Sequence, residues 1–265
     1  MVVLKAGFVI NVQAFDAFKG DPDRSPLMHV VVPLDPPDAQ NPPAALEALE
    51  PDLNPGVATD LYRGAAMDVV RAVAASGGDL LINYRDEETL PAGTTVDDPV
   101  GRVQELVSTA LGETESVRFE RQVGSNKSAR VGNTVTHLLE REGVQTVGVL
   151  EPTAALVGRT EIDGLAMALR RNDVMLGPSL TGDVYVAAFA EPIDFTAVYA
   201  DRPVATIAEA GVAADLAVGF APRVPTVASR TGIRGTAAEI IARRAAGTAI
   251  PEATAEVLET VDVFR

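Results

Sequence analysis

The apolar positions of this chain predict helices and strands that alternate along most of its length. Residues 58–76 carry apolar side chains at helical spacing, with Leu61, Val69 and Val73 on one face. A Gly-Gly pair ends this helix, and residues 79–84 follow as a continuous apolar run typical of a buried parallel strand. The segment therefore has the pattern of the second half of a β-α-β unit.

The same alternation continues toward the C-terminus. It predicts helices at residues 98–111, 128–142, 160–171, 204–210 and 236–244. It predicts strands at residues 116–122, 146–150, 174–177, 182–189 and 217–220. Short connections that contain glycine join these elements, which favours an α/β fold with a mostly parallel sheet and helices on both faces.

The N-terminal region has a different pattern. Residues 2–12 and 30–34 are short apolar runs and are predicted strands. Residues 35–56 are rich in proline and acids, which predicts a surface loop with at most a short helix at residues 44–49. No break in composition and no fixed-period repeat divides the chain, so we expect a single domain over residues 1–265.

The charge balance narrows the range of partners. Asp and Glu number 37 against 22 Lys and Arg, for a net charge of −15, and the only lysines are Lys5, Lys19 and Lys127. Such a composition is typical of proteins from archaeal and other cells with molar cytoplasmic salt; an acidic protein encoded by a GC-rich bacterial genome is the alternative. In either case we expect no nucleic-acid partner, because the field repels a phosphate backbone.

Cysteine is absent, which excludes disulfides and cysteine-ligated zinc. No apolar stretch is long enough to span a membrane, and residues 1–11 lack a signal-peptide cleavage pattern. We therefore expect a cytoplasmic protein without a membrane span.

Parallel sheets bind ligands at the carboxyl ends of their strands. Glu151 follows the predicted strand at 146–150 directly and is a candidate ligand for Mg²⁺ or Mn²⁺, since these ions prefer oxygen ligands. The alternative is an ordinary acidic turn residue. Pro178, Gly182 and Asp183 follow the strand at 174–177, where small residues beside an acid suit the approach of a sugar or phosphate. A plain link between two strands is the alternative there.

Two predicted helix starts are candidate phosphate sites, because free N–H groups at a helix N-terminus attract anions. The first is residues 122–130, in which Gly124 and Lys127 precede or open the helix. The second is residues 229–236, with Arg230 in the loop and Thr236 as the predicted N-cap. An ordinary capped helix remains the alternative at both.

The order of these motifs carries a resemblance. A Gln-x-Gly motif, a helix that contains arginine and an apolar strand that ends in Glu-Pro lead to Asp-Val-Met-Leu-Gly-Pro-Ser-Leu-Thr-Gly-Asp-Val-Tyr. This stretch, residues 122–195, resembles glycosyltransferases of the GT-A (nucleotide-diphospho-sugar transferase) superfamily, to which archaeal phospholactate guanylyltransferases are more distantly related. The resemblance implies a GT-A fold and a transferase that uses a nucleotide or nucleotide-sugar donor with a divalent metal.

The resemblance also implies roles for individual residues. The residues that it places near the donor nucleotide are Gln122, Gly124 and Arg130. The residues that it places on a loop that usually reads Asp-Gly-Gly-Tyr-Tyr are Pro178, Gly182 and Asp183. Glu151 takes the place of the metal-holding acid. From these positions we expect Glu151 and Asp183 to hold Mg²⁺ or Mn²⁺, Asp183 to be catalytic, and Lys127, Arg130 or Arg230 to contact phosphate.

Three motifs of the family pattern are missing or altered in this sequence. No Lys-Thr-Arg-Leu-type stretch follows the strand at 2–12, the acidic pair after Leu150 is reduced to Glu151, and residues 229–231 read Ser-Arg-Thr in place of an Asp-x-Asp-Thr-type motif. A diphosphate leaving group needs its charge neutralised. A catalytically degenerate member that binds or assembles is therefore the second hypothesis.

Overall fold

A computed structural model describes residues 27–41, 43, 46, 49, 53–115 and 117–260. The strand predicted at residues 2–12 and most of the short helix predicted at 44–49 lie outside these residues. The described strands are β1 His29–Leu34, β2 Asp79–Tyr84, β3 Arg118–Arg121, β4 Val147–Leu150, β5 Val174–Pro178, β6 Val184–Phe189 and β7 Val218–Phe220. The described helices are α1 Pro55–Ala74, α2 Pro99–Leu111, α3 Lys127–Thr136, α4 Arg159–Ala168, α5 Pro203–Ala213, α6 Arg230–Ala246 and α7 Glu252–Thr260, and α3 continues into one π turn, His137–Arg141.

The strands form one sheet in the order β3-β2-β1-β4-β6-β5-β7. Neighbouring strands are parallel except at β6, which runs antiparallel to β4 and to β5. The carboxyl ends of the six other strands therefore meet at one edge of the sheet, together with the start of β6. The predicted α/β fold with a mostly parallel sheet is confirmed.

Alternation of side chains along the strands divides the core into two layers. On β1, Val30 and Val32 face the helices α1, α2, α4, α6 and α7, whereas Val31 faces α3 and α5. Because both faces of the sheet are covered, its inner strands are apolar on both sides, which is why they appear in the sequence as continuous apolar runs. None of the described helices is both long and apolar enough to cross a membrane.

Two helix starts differ from the prediction. Helix α1 begins at Pro55 with Asn54 as N-cap, whose side chain accepts a hydrogen bond from the Gly56 N–H. Proline suits the first helical position, so the Asn-Pro pair starts this helix instead of extending the loop. Helix α6 begins after Ser229, which accepts from the Gly232 N–H. The assignment of Thr236 as N-cap is therefore wrong, and Thr236 is buried inside the helix.

The sequence pattern missed α7, which packs against α1. Asp68 of α1 accepts hydrogen bonds from the backbone N–H and the hydroxyl of Thr254, at 2.8 and 2.7 Å. A side chain on Gly64 would collide with the carbonyl of Ala253. The short helix is thus held by a carboxylate at its N-terminus and by close backbone contact, neither of which is visible in its own sequence.

Candidate functional site

A cavity of about 250 Å³ lies at the carboxyl edge of the sheet, where β1, β2, β3 and β4 end beside α3. Its wall combines apolar strand residues with charged and amide side chains. The polar residues in this wall are Asp35, Tyr62, Asn83, Arg85, Gln122, Lys127, Arg130, Thr134 and Glu151. Four residues singled out in the sequence, Gln122, Lys127, Arg130 and Glu151, are therefore brought together here.

One wall of the cavity is fixed by the buried side chain of Arg85, the residue that follows β2. Its Nε donates to the Thr89 carbonyl at 2.7 Å, and its Nη1 lies 3.4 Å from Asp35 Oδ1. The Asp35 N–H in turn donates to the hydroxyl of Tyr62 at 2.8 Å. Burial first and the nearby Asp35 carboxylate second raise the pKa of Tyr62 well above its ordinary value, so this hydroxyl stays neutral.

A second wall is built from amides. Gln122 is buried, and its Nε2 donates to the Asn83 carbonyl at 2.7 Å. The Asn83 side chain donates to the Glu120 carbonyl at 3.3 Å and accepts from the Thr134 hydroxyl at 3.3 Å. These bonds fix the amide planes of β2 and β3 against α3, which leaves a polar surface of defined orientation inside the cavity.

The turn that starts α3 requires a glycine. Gly124 has φ +143°, and a side chain there would collide with the backbone of Ala129 and Arg130. Asn126 caps the helix by accepting a hydrogen bond from the Ala129 N–H at 2.9 Å. Residues 122–130 therefore do contain an ordinary capped helix start, as the alternative reading predicted. The cap also directs the first turn, with Lys127 and Arg130, toward the cavity.

Lys127 and Glu151 form an ion pair in the cavity. The distance from Lys127 Nζ to Glu151 Oε1 is 2.8 Å, and the Glu151 side chain is only 13 % exposed. The ammonium also lies 5.2 Å from the ring centroid of Tyr199, within the range of a cation–π contact. Glu151 keeps its place because its N–H donates to the Tyr185 carbonyl of β6 at 2.8 Å.

Arg130 contributes a half-buried guanidinium with no side-chain hydrogen bond or ion pair to any residue in the described part of the chain. Burial lowers the pKa of Arg130, and the nearby Arg85 lowers it further. The cavity thus holds three cations, Arg85, Lys127 and Arg130, against two carboxylates, Asp35 and Glu151. One positive charge is left over in a chain whose formal charge is −15, and an anion would stabilise it.

The loop between β5 and β6 lies at the same edge of the sheet but does not line this cavity. Thr181 donates to Asp183 Oδ2 at 2.8 Å, and its hydroxyl lies 2.9 Å from that of Ser179. Gly182 has φ +92°, which glycine adopts without strain. Pro178 ends β5, and Asp183 is exposed immediately before β6.

Arg230 also lies apart from the cavity, at the exposed first position of α6. The loop before it is anchored to the sheet, since Tyr185 donates to the Pro222 carbonyl at 3.0 Å and the Val227 N–H donates to the Thr153 carbonyl at 2.9 Å. Burial, with a smaller contribution from Glu161, raises the pKa of Tyr185 to about 12. The sequence candidates thus divide into a cavity set and an outlying set.

The described residues do not fit a divalent metal held by protein ligands. No group of three or more His, Asp or Glu side chains is arranged among them to hold a metal ion. The two predicted ligands are already engaged, Glu151 by Lys127 and Asp183 by Thr181. An ion at Glu151 would have to displace an ammonium that already provides the positive charge.

Comparison with solved structures shows a likeness in fold. The chain is similar to a protein from Desulfovibrio desulfuricans G20 that is provisionally named a nucleotide-diphospho-sugar transferase, with 17 % identity, coverage of 89 % of this chain and 96 % of that one, and a TM-score of 0.69. The chain has the nucleotide-diphospho-sugar transferase fold. The fold that the resemblance of residues 122–195 implied is confirmed.

Two further matches have TM-scores below 0.5. A cytidylyltransferase from Leptospira borgpetersenii matches with 9 % identity, 89 % and 94 % coverage of the two chains and a TM-score of 0.47. A mannosyltransferase from Pyrobaculum calidifontis, in complex with GDP-Man and Mn²⁺, matches with 11 % identity, 90 % and 70 % coverage and a TM-score of 0.46. No protein-family model matches the chain, and no curated protein matches it in sequence.

Within the nucleotide-diphospho-sugar transferase fold, sequence reasoning missed Asp35 and Arg85. Both follow a strand directly, Asp35 after β1 and Arg85 after β2. The rule that led to Glu151 after β4 would therefore have found them. The search for basic residues after a first strand concerned residues 13–24, which lie outside the described residues, as does the strand predicted at 2–12; the first described strand is β1. The residue after β1 is acidic, and the cations come from β2 and α3 instead.

Proposed function

We propose that this chain binds a nucleotide or nucleotide sugar in the cavity at the carboxyl edge of its sheet and transfers the glycosyl or nucleotidyl group to an acceptor. The observation that carries the proposal is Arg130, a half-buried cation with no side-chain partner among the described residues, in a cavity with one surplus positive charge. A phosphate group would supply the missing partner, and arginine binds phosphate through two parallel hydrogen bonds.

The position of the cavity supports the same proposal. Open α/β sheets take ligands at the carboxyl ends of their strands, and helix N-termini beside those ends favour phosphate. Here the first turn of α3 carries Lys127 and Arg130 together. The amide wall formed by Gln122 and Asn83 suits the polar edge of a base or sugar, since its donors and acceptors are held in fixed directions.

The reaction requires charge neutralisation. In either transfer an acceptor oxygen forms the new bond and, where it is a hydroxyl, gives its proton to a base, while the bond to a phosphate oxygen breaks and a nucleoside diphosphate or pyrophosphate leaves with the electron pair. Lys127 and Arg130 would neutralise that charge. We keep Asp183 as the candidate catalytic carboxylate, because its exposed position on the neighbouring loop leaves it accessible to an acceptor. Glu151 and Asp183 would be the residues to hold Mg²⁺ or Mn²⁺, which would supply further positive charge, and Glu151 would first have to separate from Lys127.

The test is a calorimetric titration in molar KCl with a panel of nucleotides and nucleotide sugars, each with and without Mn²⁺. We expect at least one to bind, and we expect Arg130→Met to weaken that binding. Arg141→Met is the matched control, because it removes one cation from the end of the same helical segment, outside the cavity. Absence of binding across the whole panel would contradict the proposal.

A second function, ligand binding or assembly without catalysis, is favoured by the ion pair between Lys127 and Glu151. That pair engages the carboxylate expected to hold a metal. The two functions differ in turnover. A bound nucleotide sugar that releases no nucleoside diphosphate with any acceptor tested would support the second function, whereas release that depends on an acceptor would exclude it.

The acidic composition supports a cytoplasmic setting with concentrated salt, as in halophilic archaea. Excess surface carboxylate repels itself at low ionic strength, and salt screens that repulsion. We expect the midpoint of thermal unfolding to rise with KCl from millimolar to molar concentrations. A midpoint that falls or stays constant over this range would contradict this part of the proposal.

A further inference from the structure

The carboxylate that the resemblance assigns to a metal is engaged by an ammonium instead. Lys127 Nζ lies 2.8 Å from Glu151 Oε1, a distance typical of a charge-assisted hydrogen bond. Lys127 is the only lysine among the described residues. A compact, rotatable point charge has thus been placed beside the acid, in a chain that otherwise uses arginine almost throughout.

The lysine is held in this place by more than Glu151. Its ammonium lies 5.2 Å from the centroid of the Tyr199 ring, and the Tyr199 N–H donates to the hydroxyl of Ser128 at 2.9 Å. Ser128 is the next residue on α3, so the ring and the lysine stem share one anchor. These contacts orient the ammonium toward the cavity before any ligand arrives, which reduces the entropy lost on binding.

A divalent ion at Glu151 would meet unfavourable electrostatics. The ion would lie within a few ångströms of the Lys127 ammonium, and like charges at such distances in a partly buried site repel strongly. It would also gain only one of the two predicted ligands there, since Asp183 lies on the separate loop before β6 and is bonded to Thr181, and the other carboxylate of the cavity, Asp35, is paired with Arg85. Mg²⁺ and Mn²⁺ have weak affinity for a single carboxylate that is already paired.

We propose that Lys127 takes the place of the divalent metal, so that the site neutralises phosphate with Lys127 and Arg130 and binds its ligand without Mg²⁺ or Mn²⁺. This inference rests on the proposed function. When the ligand arrives, the ammonium shares its three N–H donors between Glu151 and a phosphate oxygen. Glu151 is then a positioning residue for Lys127 and not a metal ligand.

The decisive measurement compares Glu151→Gln with the wild-type protein, by calorimetric titration in EDTA and in Mn²⁺. The probes are ADP, GDP, UDP, CDP and inorganic pyrophosphate. We expect the wild type to bind at least one probe in EDTA, with an affinity that Mn²⁺ changes less than about threefold. We expect Glu151→Gln to bind the same probe more tightly in EDTA, because the cavity loses an anion. If Glu151 held a metal, this variant would lose binding.

Lys127→Met tests the cation itself. We expect it to weaken binding in EDTA about 10- to 100-fold, as expected for loss of a hydrogen bond to a charged group. Arg141→Met, which removes one cation outside the cavity, should leave the affinity within about twofold. We also expect Mn²⁺ to strengthen binding to Lys127→Met and not to the wild type. Circular dichroism would confirm that the variants are folded. If Lys127→Met does not fold, Glu151→Gln provides the test.

Failure of this inference and failure of the proposed function give different results. Binding that occurs only with Mn²⁺, and that Glu151→Gln abolishes, would overturn the lysine proposal and leave the proposed function in place. Absence of binding of every probe, with and without Mn²⁺, would overturn both. If pyrophosphate bound and no nucleoside diphosphate did, the lysine proposal would hold for a phosphate ligand. The proposal that the ligand is a nucleotide would be contradicted.

Discussion

The carboxyl edge of the sheet has two halves that are built differently. Beside β1, β2, β3 and β4, side chains from four strand ends and from α3 surround one cavity, and their charges neutralise one another only in part. Beside β5 and β6, the loop at residues 179–183 bonds to itself. Ser179, Thr181 and Asp183 form one short chain of hydrogen bonds, and the Ser179 N–H donates to the Asp183 carbonyl at 2.6 Å.

The difference separates two tasks. A cavity assembled from distant segments holds its charges in fixed and partly buried positions, where they act strongly on an anion. An exposed loop that satisfies its own polar groups keeps its carboxylate hydrated and accessible. We therefore expect the affinity for phosphate to depend on the cavity half, and the loop half to affect later steps.

The largest effect is expected at Arg85, which holds the cavity wall together. Arg85→Met would leave the Thr89 carbonyl without its donor and Asp35 as a partly buried carboxylate without its cation. Removing one partner of a buried pair costs about 3–5 kcal/mol. Urea denaturation should show a loss of this size in the free energy of unfolding. Arg244→Met, in which the pair with Glu259 is exposed, should cost less than about 1 kcal/mol. Equal losses would mean that the cavity half is no more fixed than the surface.

The next largest effect is expected at Arg130. Its substitution should change the affinity for the ligand and not the stability of the fold. Arg130→Met removes a half-buried cation that has no side-chain partner in the described structure, so the free energy of unfolding should stay constant or rise. Affinity for the nucleotide should fall by about 10- to 100-fold, as for loss of a charged hydrogen bond. Calorimetry and urea denaturation on the same variant would show the two changes together. A destabilised variant with unchanged affinity would reverse the interpretation of this residue.

The same contrast between local and distant contacts explains how far the sequence predicted the fold. Helical spacing and glycine stops predicted the inner strands and most helices to within a few residues, because periodicity and breakers are local. Helix α7 could not be predicted in this way. Nine residues long, it depends on Asp68, which lies 186 residues from Thr254 in sequence. The start of α6 was misplaced because Thr236 and Ser229 are both residue types that cap helices, and the prediction took the later one.

The candidate site follows the same division. Gln122, Lys127, Arg130 and Glu151 could be found because they stand at strand ends or at a helix start, and topology brings such positions together. The ion pair between Lys127 and Glu151 could not be predicted. The two residues lie 24 residues apart on different elements, and the distance between their charged atoms depends on side-chain geometry. The loop with the most specific motif, at residues 178–183, lies outside the cavity. A motif therefore identified the fold better than it identified the cavity.

A smaller effect is expected at Tyr185 of β6, whose hydroxyl donates to the Pro222 carbonyl and whose own carbonyl accepts from the Glu151 N–H of the cavity half. Its pKa is raised by burial to about 12 in the folded protein, against about 10 in the unfolded chain. Between these values the unfolded state loses the proton and the folded state keeps it, so stability falls as the pH rises from 10 to 12, by up to about 2 kcal/mol. Tyr185→Phe should make this fall shallower in urea denaturation measured across that range. An unchanged slope would show that other groups cause it.

The smallest effect on affinity is expected at Asp183, and it is the most direct test of the division between the halves. Asp183→Ala removes an exposed carboxylate that bonds to Thr181 and does not line the cavity. Nucleotide affinity in EDTA should therefore change less than about threefold, whereas release of nucleoside diphosphate should fall if Asp183 serves the acceptor. Thr181→Val is the matched control, since it breaks the same hydrogen bond and leaves the carboxylate. If Asp183→Ala instead weakened nucleotide binding as strongly as Arg130→Met is expected to, the two halves would form a single binding site. A carboxylate outside the cavity can favour an anionic ligand only through a cation, so that result would indicate a metal.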